Sequence, residues 1–180
     1  MATTNPLEWS DDDEGYENEQ PFMWLEGDSL APPCQSDYDI VQAIVDFAGV
    51  QPTDVVFDLG CGDGRICIGA ARQHGCRAVG IEIEAPLIAK FEQSIAKYGL
   101  ADLVSVLHAD LMEADLSSAT VIVTYLLPEA LTLLAPKLEA ALARGARIVS
   151  NTWGVPGLVP TARADVGQYQ NVPLYLYSSS

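Results

Sequence analysis

The run Val55-Val56-Phe57-Asp58-Leu59-Gly60-Cys61-Gly62-Asp63-Gly64-Arg65 decides the fold. Three apolar residues lead into an acid, and a glycine-rich turn follows at once. Ile66-Cys67-Ile68-Gly69-Ala70-Ala71-Arg72 then reads as a helix. Strand, glycine turn and helix together open a parallel α/β sheet. The glycines permit positive φ and let a ligand approach the backbone without meeting a Cβ. The ligand is expected across the turn, at the carboxyl end of the first strand.

The spacing selects the ligand. A dinucleotide turn is G-x-G-x-x-G, with a helix N-terminus aimed at a pyrophosphate. Here Gly60, Gly62 and Gly64 alternate, and Arg65 stands where the third dinucleotide glycine would fall. The strand also ends in Asp58, whose carboxylate repels a pyrophosphate and suits an ammonium group. The pattern acid-x-G-x-G-x-G resembles motif I of the class I S-adenosylmethionine methyltransferases. That resemblance implies a cofactor site at Asp58, Gly60, Cys61, Gly62 and Gly64, the acid serving the methionine amino group.

With 180 residues and nearly half of them apolar, the chain can bury one proper core. Acids outnumber bases by 25 to 9. The first 28 residues hold nine acids and no Lys or Arg, which leaves 16 acids against 9 bases. Such a surface favours basic partners and disfavours nucleic acid. Cys34, Cys61, Cys67 and Cys76 form no C-x-x-C pair, and with His74 and His108 they suggest no metal site. Free thiols, the lack of a membrane-length apolar run and an acidic N-terminus lead to the expectation of a cytoplasmic protein.

Upstream, residues 1–20 read as an acidic disordered tail, and residues 21–180 as the folded domain. The aromatic patch at 21–25, including Trp24, either covers the core or closes over the cofactor. Ser36-Asp37 signals a helix start, Ile40, Val41, Ile44, Val45 and Phe47 keep helical spacing, and Gly49 ends it.

Downstream, residues 77–83 read as the second strand. Glu82 falls where a carboxylate accepts from ribose hydroxyls, with Glu84 as its rival and Ile83 between them. A helix over 86–98 and a strand over 104–108 follow. His108 reads as a packed strand residue rather than a catalyst. In class I methyltransferases, positions matching Asp110 and Leu111 serve the adenine. Residues 120–127 read as the fourth strand, with Thr124 and Tyr125 near its end, where a methyl acceptor would enter. A helix over 128–143, a strand over 146–151 and a hairpin of 161–167 with 172–178 complete the chain.

Residues 120–127, Pro136-Lys137-Leu138, residues 145–150 and the ending Leu174-Tyr175-Leu176-Tyr177 narrow the resemblance. Over 36–178 the chain resembles the small archaeal protein-lysine methyltransferases. It also resembles their eukaryotic relatives, which act on ATP synthase subunit c and the adenine nucleotide translocase. This implies a single α/β domain with a doubly wound, Rossmann-like, seven-stranded sheet. Its order is 3-2-1-4-5-7-6, with the last strand antiparallel. It also implies S-adenosylmethionine as methyl donor, S-adenosylhomocysteine as product, and lysines of basic proteins as acceptors. The chain departs from the family at Cys34-Gln35-Ser36-Asp37 and at Ser150-Asn151-Thr152-Trp153, both near the acceptor entry.

Lysine's ordinary pKa of about 10.4 leaves roughly one amine in a thousand neutral near pH 7. A nearby sulfonium and partial desolvation lower that pKa, so no dedicated base is required. Tyr125 is the candidate to line the lysine channel, and Trp153 a weaker one. A small-molecule amine methyltransferase and a non-catalytic cofactor-binding subunit are the alternatives.

Overall fold

The computed structural model describes residues 36–179. The acidic tail, the patch at 21–25 with Trp24, and Cys34 lie outside the described residues. The chain runs α1 (Tyr38–Phe47), β1 (Val55–Leu59), α2 (Arg65–His74), β2 (Arg77–Glu82), α3 (Ala85–Lys97) and β3 (Val104–His108). It continues through β4 (Val121–Thr124), α4 (Pro128–Ala143), β5 (Arg147–Asn151), β6 (Ala162–Val166) and β7 (Val172–Tyr177).

One seven-stranded sheet has the order β3-β2-β1-β4-β5-β7-β6. The pairs β3/β2, β2/β1, β1/β4 and β4/β5 are parallel, and β7 runs antiparallel to both β5 and β6. The expected class I sheet order and its antiparallel last strand are therefore observed. All five residues of β1 are buried, as a central parallel strand covered on both faces requires.

The two-residue period of the strands splits the core into two layers. Val56, Val121, Val123 and Val149 face α1, α2 and α3. Phe57, Ile122 and Ile148 face α4 and the segment through Ala114, Leu116 and Ala119. Phe91 of α3 lies beneath the glycine turn and is fully buried. A Cβ on Gly80 would lie 2.5 Å from its ring and 2.5 Å from Cys61 Sγ, and a Cβ on Gly64 would strike the same ring. Gly64 is thus required by packing, besides its φ of +84°, while nothing lies within 4 Å of a Cβ on Gly62.

The end of β4 and the capping of α1 differ from the sequence reading. β4 stops at Thr124, not Leu127, because its partner β1 ends at Leu59, opposite Thr124, and the glycine turn begins there. Leu127 is then extended ahead of Pro128, which opens α4. Asp37 does occupy the cap position of α1, but its side chain makes no capping bond. Ser36 is engaged elsewhere: its carbonyl accepts from Arg65 at 3.1 Å and its hydroxyl from Asn151 at 3.2 Å.

At the amino ends of the strands, one buried acid ties β1, β4 and β5 together. Asp54 accepts from Arg147 at 2.6 Å, from the Thr120 hydroxyl at 2.7 Å and from the Gln51 amide at 2.7 Å. Burial alone would raise the Asp54 carboxyl. The hydroxyl, the amide and the guanidinium outweigh that and hold it below the ordinary value. The folded value is depressed, so this contribution is present above the unfolded value and is lost as pH falls through the folded one. Asp54→Asn is expected to cost about 1–3 kcal/mol at pH 7 by urea unfolding, with a smaller difference near pH 3. Gly80→Ala is expected to lower stability by about 1–3 kcal/mol through overpacking against Phe91.

Candidate active site

The site residues read from sequence converge at the carboxyl ends of β1 to β4. Asp58, next to last in β1, and Glu82, last in β2, lie on neighbouring strands and are 3% and 7% exposed. Among the described residues no Lys or Arg pairs with either. The cation nearest to Asp58 in sequence, Arg65, grips Asp63 at 2.9 Å.

The two acids are served differently. Glu82 Oε2 accepts from the Gly62 amide at 2.9 Å. Its Oε1 accepts from the Ile83 amide at 2.8 Å and the Glu84 amide at 3.0 Å. Glu82 therefore braces the turn as well as bordering it, and Glu84 is exposed outside. No donor among the described residues reaches the Asp58 carboxyl. Burial pushes it up to about 8, and the charges of Glu82 and Asp63 add to the effect.

Four amides of the turn are consumed internally. Gly60 and Cys61 both donate to the Ile81 carbonyl, at 2.9 and 3.0 Å. Gly64 donates to the Cys61 carbonyl at 2.9 Å, and Gly62 to Glu82. A pyrophosphate cradle needs such amides free. This turn offers instead an open flank at Gly62 beside two buried acids, which is a receptor for a cation. Cys61 lies within the turn; burial raises its thiol pKa, with Asp58 and Glu82 adding to it, so it stays protonated and uncharged.

Beyond Glu82, Ile83 is an exposed apolar residue, as are Leu107 and Met112. Asp110 is exposed at the end of β3, where its Oδ1 accepts from the Met112 amide at 2.8 Å. Leu111 is half-buried, and its carbonyl accepts from Lys137 of α4 at 3.2 Å; the Ala114 carbonyl accepts from the same ammonium at 2.7 Å. His108 is exposed rather than packed, because β3 is an edge strand; a ring nitrogen lies 3.0 Å from the Ile83 carbonyl. Exposed apolar side chains beside Asp110 can hold a flat base.

Thr124 is brought to the site's floor, not its surface. It is fully buried, and its hydroxyl donates to Ser150 at 2.9 Å. Tyr125 is half-exposed and stacks on Trp153, with centroids 6.0 Å apart and planes inclined by 20°. Sequence reasoning missed the Lys137 tie and the Thr124–Ser150 bond. Each joins residues more than 20 positions apart with no local signature.

A family model for the ANTKMT methyltransferase domain matches residues 58–162. The chain belongs to this methyltransferase family. It is 37% identical over 141 residues to a protein-lysine N-methyltransferase of Saccharolobus islandicus, covering 77% of this chain and 87% of that protein. It is 37% identical over 106 residues to the mouse adenine nucleotide translocase lysine N-methyltransferase, covering 58% of this chain and 46% of that one. A solved structure described as an RNA methyltransferase from Salinibacter ruber in complex with S-adenosyl-L-homocysteine superposes with a TM-score of 0.76. It is 39% identical and covers 80% of this chain and 92% of that one.

Asp58 generates a stability prediction for the ligand-free protein. Its folded value, about 8, exceeds the ordinary 3.8, so the folded state holds the extra proton between them. Stability contributed by that proton falls as pH rises from about 4 to about 8. Asp58→Asn is expected to remove this fall and to exceed the wild type by a few kcal/mol at pH 9, roughly, in urea unfolding.

Proposed function

We propose that this protein transfers methyl groups from S-adenosylmethionine to lysine side chains of protein substrates. The observation that carries the reading is the buried pair Asp58 and Glu82, unpaired with any cation among the described residues, beside a turn whose four glycine and cysteine amides are already spent. A sulfonium compound with an α-ammonium group fits such a site, and a pyrophosphate does not. The S-adenosyl-L-homocysteine in the Salinibacter ruber structure and the lysine acceptors named for the two relatives support the same reading.

In this reading Asp58 faces the α-ammonium group. Gly60, Cys61, Gly62 and Gly64 line the amino-acid portion, and the open flank of Gly62 admits it. Glu82 takes a ribose hydroxyl on the Oε2 lone pair that the three amides leave unused. Ile83 and Leu111 flank the base, and Asp110 accepts from its amino group. Thr124 supports the floor through Ser150, and Tyr125 stands on the acceptor side. The bound donor supplies an electrophilic methyl: the lysine lone pair forms the C–N bond as the C–S pair returns to sulfur, and the displaced proton goes to water. The chain's own contribution is alignment and a field that favours positive charge at the mouth.

The charge layout supports a basic protein partner. Asp37, Asp39, Asp63, Glu84, Asp110 and Glu129 lie at helix starts, turns and strand ends around the mouth. Arg72, Arg77, Lys97, Arg144 and Arg147 lie toward the opposite end, in last helical turns, a helix cap or first strand residues. Lysine-rich segments would be drawn to the mouth and nucleic acid repelled. The buried free thiols Cys61, Cys67 and Cys76 fit a reducing, cytoplasmic setting. Among the described residues no helix is long and apolar enough to cross a membrane.

Incubation with radiolabelled S-adenosylmethionine and a cell extract tests the reading. Label on protein lysines is expected; label confined to RNA or to small molecules would overturn it. S-adenosylhomocysteine binding, followed by calorimetry, is expected to tighten from pH 6 toward pH 8 as Asp58 gives up its proton. Asp58→Asn is expected to bind about tenfold to a hundredfold more weakly and without that pH dependence.

A further inference from the structure

Thr152 has a φ of +68°. A β-branched residue is an outlier in that region, where glycine is at ease. Gln170 is the only other described non-glycine residue with positive φ. The Trp153 amide donates to the Asn151 carbonyl at 2.8 Å, which closes a three-residue γ-turn centred on Thr152.

The turn is held from three strands. The Thr152 amide donates to the Pro173 carbonyl of β7 at 2.8 Å, and its hydroxyl to Asn151 Oδ1 at 3.0 Å. The Trp153 carbonyl accepts from the Ser150 hydroxyl at 2.6 Å, and Ser150 accepts from Thr124 at the end of β4. Strain kept in place by this many bonds is characteristic of working parts of a protein. Its product is visible: the chain leaving β5 turns back, and the Trp153 indole stacks on Tyr125 beside the end of β1.

The geometry points to Thr152 as a positioning residue, whose strained turn sets Trp153 against Tyr125 as a two-ring wall for a cationic alkylamine acceptor. This rests on the methyltransferase reading and adds the element that receives the acceptor. Aromatic rings suit that task. They attract an alkylammonium through their faces and place no hydrogen-bond demand on the nitrogen, whose lone pair must stay free for transfer. The buried hydroxyls of Thr124 and Ser150 act inward on the turn and do not meet the acceptor. The wall also falls where the chain departs from the pattern of the proteins it resembles.

The test compares wild type, Thr152→Gly, Thr152→Asn and Trp153→Leu. It measures kcat and KM for poly-L-lysine, the Kd for S-adenosylhomocysteine by calorimetry, and the urea midpoint. Thr152→Gly and Trp153→Leu are expected to raise KM for poly-L-lysine about tenfold. In both, the Kd for S-adenosylhomocysteine is expected to stay within about twofold of wild type. Thr152→Gly is expected to keep the wild-type urea midpoint, because relief of strain offsets the added chain entropy. Thr152→Asn tolerates positive φ and keeps a side-chain oxygen, so it is expected to recover most of the wild-type KM. KM unchanged in both the Gly and Leu variants would overturn the wall, as would KM and Kd rising together with lost stability. A wild type that binds S-adenosylhomocysteine but leaves poly-L-lysine unmethylated would overturn the lysine acceptor and the wall with it. A wild type that binds no S-adenosylhomocysteine would overturn the donor site itself.

Discussion

Asp58 is a buried carboxyl at the tip of the central strand, next to a second buried acid, with no cation among the described residues set against either. Removing a charge from water is costly unless hydrogen bonds or an opposite charge replace the solvent. Glu82 receives that replacement from three backbone amides, and Asp58 receives none from the described residues. The fold therefore carries an electrostatic demand that a bound proton meets in the ligand-free protein and an incoming positive group can meet in its place. The surrounding architecture follows from keeping those acids dry and adjacent. β1 and β2 must pair in register, the turn must fold over Ile81, and Phe91 must seal the underside where Gly64 and Gly80 leave room.

On either side of that strand tip the chemistry differs. Toward β2 and β3 the surface is acidic with exposed apolar side chains, a setting for a ribose and a flat base. Toward β4 and β5 it is aromatic, with buried hydroxyls supporting the rings from below. The two sides keep their spacing because the opposite ends of the strands are clamped. Asp54 draws the Arg147 end of β5 and the Thr120 lead into β4 onto the start of β1. A charge pair far from the mouth thus holds the geometry across which donor and acceptor must align.

Membership in a methyltransferase family speaks to the part of the chain between Asp58 and Ala162. That segment contains both the acid-lined turn and the strained exit of β5. Two named relatives are called lysine methyltransferases, and the solved structure that superposes on this fold is described as an RNA methyltransferase. Acceptor choice therefore resides on the loops at the strand ends and in the surface field, not in the sheet. At those strand ends this chain has several acids and the stacked rings of Tyr125 and Trp153.

The sequence by itself determined the sheet and the placing of two acids and a glycine turn at the carboxyl ends of its strands. Buried parallel strands are written as apolar runs, glycine turns as glycines, and an acid after a strand as an acid; all are local signals that survive without a structure. Asp58, Glu82 and the spacing of Gly60, Gly62 and Gly64 were legible for that reason. The end of β4, the burial of the Thr124 hydroxyl, the exposure of His108 and the grip of Lys137 on the 111–114 segment were not. Each depends on which strand or helix happens to lie alongside. The positive φ of Thr152 was the least legible of all, because nothing in a threonine announces it. Only bonds from β4, β5 and β7 together make that conformation cheaper than release, and those bonds exist only once the sheet has closed around them.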